Sequence, residues 1–130
     1  MKMVTGLIAL ALGYVVVVLA IGIPYWRLSY AELNRGQFAI LPGALLLGLL
    51  TYILVVTEAA APRRIAQVMI ATVPSIVIVP IWRHTAVDPT SHNLWPLELV
   101  FAIVAGAMVV LPALAIGLGT RWLLARRATD

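Results

Sequence analysis

The chain contains no cysteine, which excludes disulfides, thiolate metal centres and cysteine nucleophiles in whatever compartment it occupies. Charge is scarce too: 11% of its 130 residues are Asp, Glu, Lys or Arg, against about 25% in an ordinary soluble domain. Histidine occurs twice, at His84 and His92, both beside an apolar run rather than deep within one. Axial ligation of a haem between facing helices therefore has no material to work with. Serine-nucleophile elbows, phosphate-binding glycine loops and zincin signatures are likewise missing, so no cofactor is strongly indicated and nothing marks an enzyme.

Apolar residues fill the space that charge leaves. They make up 63% of the chain, and the mean hydropathy is +1.06, which excludes both a soluble globular domain and a disordered segment. A membrane span takes about 20 residues, and four apolar runs of that order are present, over about residues 3–25, 38–57, 65–82 and 95–124. Four spans with short connections use up the length. The expected fold is all-α, an integral membrane four-helix bundle forming a single polytopic domain over residues 1–130. The first run exceeds the 7–15 apolar residues of a signal peptide and continues into Pro24, Tyr25, Trp26 and Arg27, so we read it as a retained span.

Basic residues orient the spans. Six of them (Lys2, Arg63, Arg64, Arg121, Arg126, Arg127) fall on the side of the N-terminus and three (Arg27, Arg35, Arg83) on the other. In a bacterial cytoplasmic membrane this places both termini in the cytoplasm and the two longer loops outside. Trp26, Trp82 and Trp95 then form an outer aromatic belt and Trp122 an inner one, as amphipathic rings favour. The net charge of +4 is answered by anionic lipid head groups rather than by nucleic acid.

Small residues recur at helical spacing, where membrane helices approach most closely. The stripes are Gly6, Ala9, Gly13 and Ala20 on the first run; Ala44, Gly48 and Thr51 on the second; Gln67, Ala71 and Ser75 on the third. The fourth run carries the longest, Glu98, Ala102, Gly106, Ala113, Gly117 and Thr120. We expect Gly6, Gly13, Gly48, Gly106 and Gly117 to be helix-packing positions. Pro74, Pro80 and Pro112 bend their helices by removing an amide donor. Ser29 and Glu32 have capping-box spacing for a short helix ended by Gly36.

Ionisable residues in spans carry the functional candidates. Glu98 lies about one turn below the outer interface, where it serves either as a cation or proton site or as a first-turn carboxylate favoured by the helix dipole and set beside Arg83. With Thr120 it marks the ends of a transport path if the fourth stripe is wet. Glu58, at the inner end of the second run, is read as an interfacial ion-pair partner of Arg63 or Arg64. His84, Asp88 and His92 have a His-x3-Asp-x3-His spacing that one helical face would turn into a zinc or copper site. Pro89 opposes such a helix, so a loop would have to gather the ligands, and solvated interfacial residues are the alternative.

Three functions follow as expectations. The first is a non-catalytic structural or accessory subunit of a larger membrane complex, with other membrane subunits or itself as partner besides the bilayer. The second is a small homo-oligomeric transporter or channel, and the third a protein with an outer-face metal site.

Overall fold

A computed structural model describes residues 2–36, 39–91 and 93–129. Those residues are mainly helical with no strand among them, in the order α1 (Lys2–Trp26), α2 (Tyr30–Asn34), α3 (Ile40–Val56), α4 (Pro62–Ile70), α5 (Thr72–Val87) and α6 (Trp95–Arg127). Three helical stretches, Met3–Trp26, Pro62–Val87 and Trp95–Arg127, are long and apolar enough to cross a membrane, and Ile40–Val56 is apolar but shorter. At 1.5 Å per residue α3 measures about 25 Å and α6 about 50 Å.

Helix boundaries follow local chemistry. Ser29 caps α2 in the expected box: the Glu32 amide donates to Ser29 Oγ at 3.3 Å, and the Ser29 amide donates to Glu32 Oε2 at 2.7 Å. Gly36 has a φ of +67° just past that helix, the left-handed geometry that glycine adopts at no steric cost. The third span is longer than the expected 65–82, because Pro62 opens α4 as a first-turn proline and α5 continues to Val87. There the residue before Pro89 turns extended, with Asp88 at φ −134° and ψ 103°, as proline imposes on its predecessor.

The helical stretch Pro62–Val87 breaks at Ala71. Pro74 has no N–H for the Ile70 carbonyl, so the regular ladder lapses one turn earlier. Hydroxyls beside the break add bonds of their own, the Thr72 hydroxyl donating to Met69 O and the Ser75 hydroxyl to Ala71 O, both at 2.7 Å. Pro80 in the middle of α5 leaves the Ile76 carbonyl without its helical donor in the same way. The Trp26 indole N–H fills that place, at 2.8 Å from α1. Arg83 reciprocates by donating through Nη1 to the Trp26 carbonyl at 2.7 Å, satisfying the open end of α1 and placing a cation at its negative pole.

Between α3 and α4 the chain turns through a Schellman motif. The Glu58 amide donates to Val55 O at 3.2 Å and the Ala59 amide to Leu54 O at 3.0 Å. Glu58 itself holds φ at +54°, where glycine is customary. Its carboxylate accepts from Arg121 Nη2 at 2.6 Å. The expected partners Arg63 and Arg64 are replaced by a residue 63 positions away, because α4 starts beyond the turn whereas the last part of α6 runs beside it.

Packing pairs α1 with α3 and α5, and α6 with α3, α4 and α5. Gly13 faces Leu54, and Gly43 faces Ile21, so α1 and α3 run in opposite directions. Gly48 faces Val109 and Gly117 faces Val55, so α3 and α6 run the same way. Leu10, Val17, Leu47, Val55, Ile65, Met69 and Val110 fill the interior. Outside, large apolar residues such as Leu12, Leu45, Phe101, Met108 and Ile116 are exposed, a surface suited to hydrocarbon rather than water.

The interior does not use every expected small-residue stripe. Gln67 and Ala71 are exposed and Ser75 is half-buried, while Ile65, Met69, Thr72, Ile76 and Pro80 form the buried face of α4 and α5. Ala20 on α1 is exposed too. Branched and sulfur-containing side chains seal α4 and α5 inward, so small size alone did not mark their contact face.

Candidate functional site

The fold places Glu98 on a crevice. The first turn of α6 begins with Trp95 and Pro96, and the Glu98 amide is held by the Leu94 carbonyl at 3.1 Å. Half-buried there, Glu98 lines a cavity of about 450 Å³ that α1, α3, α5 and α6 enclose together. The walls are apolar, with Ile21, Leu47, Ile76 and Phe101 among them, and Tyr25 and Glu98 supply the polar groups. Gly43 and Ala44 keep the α3 wall thin. Ile40 and Phe101 at the rim are 75% and 63% exposed, so the crevice opens sideways. It is the arrangement usual for a small-molecule site, mostly apolar with a few placed polar groups.

Along the crevice and beyond it the α6 stripe is packed. Ala102, Gly106, Val110 and Gly117 are buried. A β-carbon on Gly106 would lie 2.9 Å from the Ile70 carbonyl oxygen, and one on Gly117 would lie 2.8 Å from Val55 Cγ1. The first of these contacts has a reason in the sequence: Ile70 O is the carbonyl freed by Pro74, and the bare α-carbon of Gly106 lets α6 come against it, a recurrent weak contact at helix interfaces. Gly6 sits closer still to the Ala59 carbonyl, where a β-carbon would overlap the oxygen. Gly13 is tight against Leu54, whereas Gly48 leaves ordinary van der Waals room to Val109. Thr120 lies about 33 Å along the helix from Glu98. Its hydroxyl donates to Ile116 O at 3.0 Å and accepts from Tyr52 at 3.5 Å.

On the loop side of α5, the structure places His84 in the last helical turn, its ring edge-on to Tyr30 at 5.7 Å. Asp88 caps a turn of its own, accepting from the Thr90 hydroxyl at 2.7 Å and the Thr90 amide at 3.0 Å. Those hydrogen bonds, the hydroxyl's first, hold the Asp88 carboxyl below its ordinary pKa; Ser29 does the same for Glu32, again chiefly through its hydroxyl. His92 lies outside the described residues. Among the described residues no three His, Asp or Glu side chains are grouped to hold a metal ion.

Two participants escaped the sequence reading. Tyr25, read there only as the end of a span, lines the crevice with Glu98, and Trp26, assigned to the interfacial belt, reaches inward to α5. Both follow α1 to its last turn, where the pairing depends on a helix fifty residues away. No protein-family model matches this chain, and no curated protein or solved structure does either.

Proposed function

We propose that the chain is an integral membrane four-helix bundle with four spans, both termini on the cytoplasmic side of a bacterial inner membrane, serving as a non-catalytic structural or accessory subunit of a larger membrane complex. The observation that carries the subunit reading is the outward face of α6. Gly106 and Gly117 on its inner face are used by α4, α5 and α3, whereas a β-carbon on Gly119 would meet nothing within 4 Å, and Ala115 one turn before it is also exposed. A small-x-x-x-small pair turned to lipid is suited to receive a further helix.

The bundle and its orientation are supported by the packing order and by the charges. Glu58 with Arg121, and Gly6 against Ala59, bring the N-terminal end of α1, the α3–α4 turn and the C-terminal part of α6 to one end. Six of the nine basic residues fall on that side, the cytoplasmic one by the positive-inside rule. Because the chain has no cysteine, single-cysteine labelling tests this directly. Thr90→Cys is expected to react with an impermeant maleimide from outside the cell, and Thr129→Cys only after the membrane is opened.

Native mass spectrometry after mild solubilisation from the source membrane tests the subunit reading. A heteromeric mass is expected, and it should be lost in Gly119→Leu with helicity unchanged. A stable lone monomer from the same membranes refutes it. A homo-oligomer would favour the second reading, a small transporter or channel, whose support is the Glu98 crevice.

A further inference from the structure

The turn between α3 and α4 leaves two arginines without a counter-charge. Glu58, the carboxylate nearest to them along the chain, is taken by Arg121, and among the described residues neither Arg63 nor Arg64 has a hydrogen-bond or ion-pair partner. Arg83 and Arg126 differ in this, since the first holds the Trp26 carbonyl and the second covers the Trp122 ring. Arg63 and Arg64 line one cavity of about 540 Å³, within the range of about 300–1,000 Å³ usual for small-molecule sites. Gln67 joins them from the next turn of α4, Met3 and Leu7 of α1 supply an apolar wall, and the alanines of the turn add no bulk. No carboxylate among the described residues lines this space.

Such a space suits an anion joined to hydrocarbon. A cation would meet two guanidinium groups, and a small soluble anion would leave Met3 and Leu7, 74% and 39% exposed, uncovered. A choline head would bring a positive charge to the arginines along with its phosphate. An acidic phospholipid satisfies both walls: its phosphodiester accepts forked hydrogen bonds from arginine, Gln67 adds an amide donor, and its acyl chains cover Met3 and Leu7. Basic pockets between membrane helices bind head groups of this kind. We propose that the cavity of Arg63 and Arg64 is a specific site for the phosphodiester of an acidic phospholipid, beyond the diffuse attraction of a net positive charge. The inference rests on the reading that sets this end of the bundle at a membrane surface, which the labelling of Thr90→Cys and Thr129→Cys tests separately.

The test uses the full chain, delipidated in detergent, with phosphatidylglycerol as probe and phosphatidylcholine of the same acyl chains as reference, bound lipids being counted by native mass spectrometry. One phosphatidylglycerol per chain is expected at concentrations where phosphatidylcholine is not retained. Arg63→Gln with Arg64→Gln should weaken that first binding step by about tenfold or more; both side chains are exposed, so the helical circular dichroism should not change. Arg126→Gln with Arg127→Gln removes the same charge from the end of α6 and should alter the step by no more than about twofold. Inorganic phosphate in excess should not displace the lipid. Equal losses in the two double variants would show diffuse attraction, displacement by inorganic phosphate would show a site for a free anion, and equal retention of the two lipids would show no selection for charge. Each of these three results overturns the proposal.

Discussion

Replacing Trp26 by Phe tests whether the indole bond to α5 compensates for Pro80. The Trp26 N–H lies 2.8 Å from the Ile76 carbonyl, the one whose helical donor Pro80 removes. A net hydrogen bond contributes about 0.5–1.5 kcal/mol, and leaving the acceptor unpaired in a low-dielectric site adds to the loss. Trp26→Phe should therefore cost about 1–2 kcal/mol, part of it from the smaller ring. Pro80→Ala separates the parts, because it restores a backbone amide as donor to the Ile76 carbonyl. In that background Trp26→Phe should cost about 1 kcal/mol less than in the native chain, since only the packing of the ring is lost. The assay is reversible unfolding in mixed micelles by rising SDS, followed by circular dichroism on all four proteins. Costs that add to within about 0.3 kcal/mol would show that the two residues are uncoupled, and the compensation argument would be wrong.

Other substitutions probe the close contacts. Gly119→Ala, in open space, should stabilise by roughly 0.5–1 kcal/mol through helix propensity. Gly106→Ala meets the Ile70 oxygen and should lose about 1–2 kcal/mol in the same unfolding assay, overpacking outweighing that gain; equal stability of the two variants contradicts the packing described for α6. Glu58→Gly relieves a left-handed residue worth about 1–2 kcal/mol and gives up an exposed ion pair worth about 0.2–1 kcal/mol. Glu58→Ala gives up the pair and keeps the strain, so thermal melts should rank Gly above Ala by about 1 kcal/mol. Acid should loosen the loops that follow α1 and α5: the pKa values of Glu32 and Asp88 are depressed in the folded chain, so their stabilisation is present above the ordinary carboxylate pKa of about 4. It is lost as pH falls through the lower folded values. Hydrogen exchange at α2 should therefore speed up relative to the core on going from neutral pH toward pH 3, after correction for intrinsic rates, and an unchanged ratio would refute it.

Local chemistry was legible in the sequence where the partners are close along the chain. Ser29 with Glu32 and Pro89 after a helix end are each decided within four residues, whereas the helix start at Pro62 lies three residues before the apolar run. The apolar runs likewise mark the three long helical stretches and the shorter α3 to within about five residues. Tertiary partners were not legible. Glu58 was paired with the nearest arginines because sequence distance was the only guide, and the turn aims it at Arg121 instead. The stripe at Gln67, Ala71 and Ser75 has helical period, but period shows which residues share a face and not which way the face turns. For the site, the sequence singles out Glu98 and says nothing of the cavity, whose walls come from four helices and whose breadth depends on how they splay.

Helix length has a consequence for the surrounding lipid. In the four-span arrangement proposed here, α3, at about 25 Å, stands beside α6, at about 50 Å, across a hydrocarbon layer of about 30 Å. Such mismatch is met by local thinning at the short helix and by tilt or overhang at the long one. Past Arg121, α6 carries Trp122 with the Arg126 guanidinium 3.6 Å above its ring, an amphipathic pair suited to lie among head groups. The protein would thus sit in a dimple on its α3 side. Its distribution between membranes should follow bilayer thickness, with thinner ones preferred.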